Sequence, residues 1–70
     1  MKTIGSRIKN LRKKAELTQE EFARKADIPY ATLLKIENDS VKNPTMITIV
    51  KIAEALGIKI DDLIKGENSI

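Results

Sequence analysis

The segment YATLLKIEN, near the middle of this 70-residue chain, holds the side chains best suited to contact a partner. A helix turns by about 100° per residue, so residues spaced one, three and four positions apart can share one side of it. That side would carry Tyr30 at its edge, followed by Ala31, Leu34, Lys35 and Asn38. A phenol, a methyl, an isobutyl group, a cation and an amide together suit noncovalent recognition of a shaped surface rather than covalent catalysis.

Composition excludes the commonest catalytic and metal-binding chemistries. The chain has no cysteine and no histidine, so it lacks disulfides, a cysteine nucleophile, a serine–histidine pair and the usual zinc ligands. The sequence predicts no metal and no cofactor. The adjacent Asp61 and Asp62 are better interpreted as negative charge that stabilises the start of a short helix than as a catalytic pair. We therefore expect a protein that is not an enzyme.

Positive charge is concentrated at the amino-terminal end. The net charge is +3, and the first 15 residues carry six lysines and arginines but no acid. This end suits an anionic partner, although a solvated basic helix face explains the same pattern. No apolar run is long enough to cross a membrane and no secretion signal is present, so we expect a cytoplasmic protein without a membrane partner.

Helical spacing of the apolar residues dominates the chain. Apolar residues recur every three to four positions and no segment alternates with period two, so the predicted fold class is all-α, with five helices. The first helix would run from about Ile4 to Ala15 behind a Thr3 cap. Its inward stripe would be Ile8, Leu11 and Ala15.

The second helix has a complete start signal. Thr18 stands at the cap position, Glu21 completes a capping box, and Leu17 can pack on Phe22 across the start of the helix. The sequence therefore predicts a helix that begins directly after Thr18.

A short connection should follow this second helix. The helix would end near Ala26, because Asp27 tolerates a left-handed conformation and Pro29 disfavours a helical residue before it. A third helix beginning at about Pro29 then completes a helix-turn-helix, which presents one face of the third helix outward.

The fourth helix would run from about Thr45, its predicted cap, to Leu56. Its inward stripe is predicted to be Met46, Ile49, Ile52, Ala53 and Leu56. A short fifth helix over about residues 60–64 would close a domain of residues 1–65 and leave residues 66–70 as a tail.

The outward face of the third helix suits the major groove of B-form DNA, which admits an α-helix and offers acceptors and the thymine methyl. Lys35 would reach guanine O6 or N7, while Ala31 and Leu34 would lie against thymine methyls. Asn38, near the helix end, would donate to a phosphate. In the alternative interpretation, Tyr30 and Leu34 form an apolar patch for another protein.

Several motifs together resemble the lambda-repressor-like helix-turn-helix family, also called Cro-type or XRE-type DNA-binding domains. They are IGSRIKNLRKKAELTQEEFA for the first two helices, LLKIEN at the end of the third, and NPTMITIVKIAEALGI leading to DDLI. The resemblance covers nearly the whole chain and implies a five-helix domain that binds DNA.

The resemblance also implies roles for individual residues. Gln19 matches a glutamine that bonds a phosphate, and Glu37 matches a glutamate that pairs with an arginine of the first helix, here Arg12. We expect this pair to be mainly structural. The predicted phosphate contacts are Thr18, Gln19, Asn38, Lys42 and Asn43. The predicted base-reading residues are Tyr30, Ala31 and Lys35, to which the helix face adds Leu34.

Three positions depart from the family pattern. Asp27 stands where glycine is common, Pro29 where a polar cap is common, and Lys59 where a small cap is usual. The base-reading set contains no glutamine or arginine, so we expect modest direct readout assisted by DNA shape.

These features predict a sequence-specific double-stranded DNA-binding repressor that acts as a homodimer on a palindromic operator. Candidate dimer contacts are Ile47, Ile58, Ile60 and Ile64. The alternative is an antitoxin-like protein that binds a toxin partner and regulates its own promoter.

Overall fold

The computed structural model describes residues 3–65 and is all-α in that range, as predicted. Lys2 and the predicted tail of residues 66–70 lie outside the described residues. The five helices are α1 (Ile4–Lys14), α2 (Gln19–Ala26), α3 (Tyr30–Glu37), α4 (Met46–Leu56) and α5 (Ile60–Lys65). Their bounds agree with the predicted ones to within about one residue, which is the usual uncertainty of a helix end.

Hydroxyl side chains cap the starts of α1, α2 and α4, where the sequence predicts caps. The Thr18 hydroxyl accepts from the Glu21 amide at 3.1 Å, and the Glu21 carboxylate accepts from the Thr18 amide at 2.9 Å. Thr3 forms a second capping box, with Ser6, and Thr45 caps α4. Each box satisfies backbone donors that have no partner inside the helix, which explains why these helices start at fixed positions.

The turn between α2 and α3 is one residue longer at its second end than expected, because α3 begins at Tyr30 and not at Pro29. Asp27 ends α2 in the left-handed region with φ 59°, as predicted. Pro29 is not the first residue of α3, because its ψ of 141° is extended. It is instead the cap, and its carbonyl accepts from the Leu33 amide at 3.2 Å. Lys51 of α4 supports the turn by donating to the Asp27 carbonyl oxygen at 3.1 Å.

The core lies where all five helices meet. Its fully buried large side chains come from every helix: Ile8, Phe22, Leu33, Ile36, Ile52 and Leu63. Two of the predicted inward residues are exposed. Ala15 is the cap that follows α1. Met46 is the first residue of α4 and is 61% exposed, whereas Ile49 and Ile52 in the same stripe are buried. Helical spacing alone cannot show that an apolar residue at a helix end lies beyond the neighbouring helices.

The closest approach between α1 and α3 depends on a glycine. Gly5 is buried, and a Cβ atom added there would overlap the carbonyl oxygen of Ile36 and lie 2.7 Å from the Asp39 carboxylate. The absence of a side chain therefore lets the backbone of α1 lie directly against the end of α3.

We expect Gly5→Ala to destabilise the domain by about 1 to 3 kcal/mol, the usual cost of forcing an extra carbon into a packed interior. The added Cβ meets backbone, which can move only by separating the two helices. Urea denaturation followed by circular dichroism measures the change. Gly57→Ala is the matched control, because its Cβ would meet open space and only the left-handed φ of 71° opposes it. An unfolding midpoint for Gly5→Ala at or above that of the wild type would show that α1 and α3 can separate without cost.

Candidate nucleic-acid interface

The third helix has a buried face and an exposed face, divided as the helical spacing predicts. Leu33 and Ile36 are buried in the core, and Thr32 is half-buried. The opposite side carries the predicted base-reading residues. Tyr30 is 44% exposed, Ala31 and Lys35 are exposed, and Leu34 is half-buried.

A buried ion pair holds α3 against α1. Arg12 and Glu37 are each only 7% exposed. The Arg12 Nε atom lies 2.8 Å from Glu37 Oε2, and Arg12 Nη2 lies 3.1 Å from Glu37 Oε1. Arg12 Nη1 donates to the Leu17 carbonyl oxygen at 2.8 Å. The guanidinium therefore binds the carboxylate with two parallel hydrogen bonds and also contacts the connection before α2, a geometry that only arginine provides.

Gln19 joins this ion pair, which the sequence did not indicate. Its Nε2 atom donates to Glu37 Oε1 at 3.0 Å. An amide nitrogen carries two hydrogens, so the second remains a donor for a partner outside the protein. The predicted phosphate contact at the start of α2 is therefore held in place by the same carboxylate that fixes the end of α3.

The neighbouring Thr18 has a full structural role of its own. Its hydroxyl is used as a cap for the Glu21 amide. Glu20 and Glu21 lie in the first turn of α2, where they favour the helix dipole but repel an incoming anion. Of the two predicted contacts at this helix start, Gln19 has the better geometry for a phosphate.

The remaining predicted phosphate contacts lie in the chain directly after α3 and are exposed. Asn38 is exposed, and its Oδ1 atom accepts from the Ser40 amide at 2.9 Å, which leaves its amide group as a donor. The Val41 amide donates back to the Lys35 carbonyl oxygen at 3.1 Å. Lys42 and Asn43 follow and are exposed.

The four predicted dimer residues fall into two groups. Ile58 and Ile60 are half-buried against the core, so they serve the packing of the domain. Ile47 is 70% exposed and Ile64 is 45% exposed. Met46, which the sequence placed in the core, joins the exposed set. An open groove beside it is lined by Ile4, Lys42, Asn43, Pro44, Met46, Ile49 and Ile64.

Residues 3–65 contain no group of acidic side chains arranged to hold a metal ion. Asp61 and Asp62 are exposed in the first turn of the six-residue α5. In the same range, no helix combines the length and the apolar character that crossing a membrane requires.

A family model described as helix-turn-helix matches residues 8–63. The immunity repressor protein of Bacillus phage phi105 is 40% identical over 68 residues, which are 97% of this chain and 46% of that protein. This chain therefore spans about half the length of that relative.

Solved structures of SinR, a protein of Bacillus subtilis, are also similar. SinR, described as the master regulator for biofilm formation and solved in complex with DNA, is 31% identical with a TM-score of 0.84. The match covers 87% of this chain and 97% of that one. A complex of SinR with SinI gives 28% identity and a TM-score of 0.85, covering 96% of this chain and 69% of that one.

We expect Glu37→Ala to destabilise the domain by about 3 to 5 kcal/mol, because it leaves the Arg12 cation buried without its carboxylate. Replacing both partners, with Arg12→Met and Glu37→Leu, should recover much of this loss since no buried charge remains. Urea denaturation measures both.

Glu20→Ala is the control for the loss of a carboxylate, because Glu20 is exposed in the first turn of α2. Equal midpoints for Glu37→Ala and Glu20→Ala would mean that the buried pair does not maintain the contact between α1 and α3.

Proposed function

Because the chain belongs to the helix-turn-helix family, we propose that it binds double-stranded DNA sequence-specifically and represses transcription. The exposed face of α3 carries this proposal, since hydrogen-bond donors flank it at both ends. Gln19 lies at the start of α2, and Asn38, Lys42 and Asn43 lie in and beyond the end of α3. This arrangement suits a helix inserted in the major groove with phosphates on either side.

The base-reading set is small and largely apolar. Lys35 is the strong donor on the exposed face and matches the acceptors of guanine. Ala31 and Leu34 offer methyl groups to thymine, and the Tyr30 ring stands at the edge. The set has only one strong donor for base edges, so much of the affinity should come from phosphate contacts and fall steeply with salt.

We further propose that two copies bind one operator with two-fold symmetry. The recognition helices would enter successive major grooves about 34 Å apart. Among the described residues, Met46 and Ile47 on α4 and Ile64 on α5 are exposed apolar side chains, and we assign the contact between copies to them. The groove formed with Met46 and Ile64 is continuous with Lys42 and Asn43, so a second copy seated there would lie beside the same DNA.

Repression by occupying the promoter is the simplest output of such a dimer. The relative named as an immunity repressor supports it, and this chain spans about half the length of that relative. We propose no catalytic step, because Asp61 and Asp62 are exposed in the first turn of a short helix, where their negative charge favours the helix start.

A second candidate function is regulation through a protein partner, as in an antitoxin that binds a toxin. The supporting observation is that SinR, to which this chain is similar, has been solved in complex with SinI. Met46, Ile47 and Ile64 would then face that partner instead of a second copy.

Selection of duplexes from a random library, with the purified protein at near-physiological salt, tests the proposed function. We expect an inverted repeat with half-sites about one helical turn apart, because each copy reads one half-site. A single half-site would contradict the dimer. No enriched sequence would contradict sequence-specific binding by this chain alone and favour dependence on a protein partner.

We expect Lys35→Ala to relax the preference at one base position of each half-site, with a loss of about 1 to 3 kcal/mol on the preferred sequence. Repeating the selection and titrating single-base variants of the operator by fluorescence anisotropy measures it. Gln19→Ala is the control, since loss of a phosphate contact weakens all sequences about equally. An unchanged motif after Lys35→Ala would remove Lys35 from the base-reading set.

A further inference from the structure

The hydroxyl group of Thr3 links the start of α1 to the chain directly after α3. The Thr3 Oγ1 atom donates to Asp39 Oδ1 at 2.7 Å, although the two residues are 36 positions apart. The same oxygen accepts from the Ser6 amide at 3.0 Å and so caps α1. Thr3 therefore fixes both the start of α1 and the chain directly after α3.

Asp39 adopts a backbone conformation that glycine would adopt more easily. Its φ is 67°, in the left-handed region, where a side chain is unfavourable. A carboxylate here also lowers the positive charge beside the predicted phosphate contacts, which should oppose DNA binding. Both effects would favour another residue at this position. The hydrogen bond that the carboxylate accepts from Thr3 is the observed interaction that favours aspartate here.

Asp39 lies between the predicted phosphate contacts, so its hydrogen bond with Thr3 affects the turn that carries them. Asn38 precedes it, and Lys42 and Asn43 follow after a turn in which Ser40 bonds to Asn38 and Val41 bonds to Lys35. These bonds tie the turn to α3 alone. The bond from Thr3 adds an anchor on α1, beside the place where Gly5 brings the two helices together.

We propose that Thr3 and Asp39 are positioning residues for DNA binding. Their hydrogen bond holds the turn after α3 so that Lys42 and Asn43 meet a phosphate without first losing conformational freedom. Preorganisation of this kind raises affinity although neither positioning residue touches the DNA. The inference rests on the proposed function and names two residues which that function does not use.

Whether Asp39→Gly strengthens or weakens DNA binding distinguishes a positioning role from a simple electrostatic effect. The substitution removes a negative charge near DNA and relieves the left-handed backbone, so electrostatics predicts tighter binding and an unchanged or higher melting temperature. Positioning predicts weaker binding, by about threefold to tenfold, because one net hydrogen bond orders the turn. Glu54→Gln is the matched control, since it removes an exposed negative charge on α4.

Two further variants test the hydroxyl itself. Thr3→Ser keeps both the cap and the donor, so it should bind as the wild type does. Thr3→Asp keeps a cap acceptor for α1 but cannot donate to Asp39, so it should bind more weakly than the wild type at an unchanged helix content. Thr3→Asp adds a negative charge, which by itself weakens DNA binding, whereas Asp39→Gly removes one. Weaker binding by both variants therefore supports positioning, and weaker binding by Thr3→Asp alone contradicts it.

The experiment is a titration of the selected duplex by fluorescence anisotropy, in which each variant is also melted to verify its fold. Lys42→Ala should weaken DNA binding more in the wild-type background than in the Asp39→Gly background. In the second background the loosened turn has already lost the contact between Lys42 and a phosphate. Binding by Asp39→Gly as tight as the wild type, or an equal effect of Lys42→Ala in both backgrounds, overturns the positioning role while leaving the proposed function intact. Failure of the wild type to bind any selected duplex overturns both.

Discussion

The buried pair of Arg12 and Glu37 is the interaction on which the arrangement of the first three helices depends. A cation and a carboxylate taken out of water are costly unless each finds good hydrogen bonds. Here the guanidinium binds the carboxylate twice and the Leu17 carbonyl once, while Gln19 supplies a further donor to the carboxylate. Because these bonds need one relative position of α1, α2 and α3, we expect the pair to specify that position more than it adds to stability.

Much of the fold could be predicted from the sequence because its signals are local. The capping box at Thr18 and the break before the proline at position 29 each act within a few residues, so the sequence reveals them without a structure. The exposure of Met46 was not predictable in the same way. Its spacing agrees with the inward stripe of α4, and only the position of the neighbouring helices shows that nothing covers it.

The candidate site also combines features that the sequence predicts with features that only the structure shows. The outward side of α3 follows from helical geometry, and the partner of Glu37 was inferred through a family resemblance. The bonds from Gln19 to Glu37 and from Thr3 to Asp39 join residues 18 and 36 positions apart. Polar contacts of that kind have no periodic pattern, so one sequence gives no signal for them. The left-handed backbone of Asp39, with φ 67°, is likewise visible only in the structure.

The two-faced character of α3 has a consequence for evolution. Leu33 and Ile36 secure the helix in the core, whereas Ala31 and Lys35 are exposed and contribute no packing to it. Substitutions at these two positions can therefore accumulate without endangering the fold, because exposed residues away from caps and buried networks change stability little. Leu34, which is half-buried, is less free to vary. Under the proposed function, a duplicated copy of such a domain would change the DNA sequence it prefers in a few mutational steps, each of which leaves a folded protein.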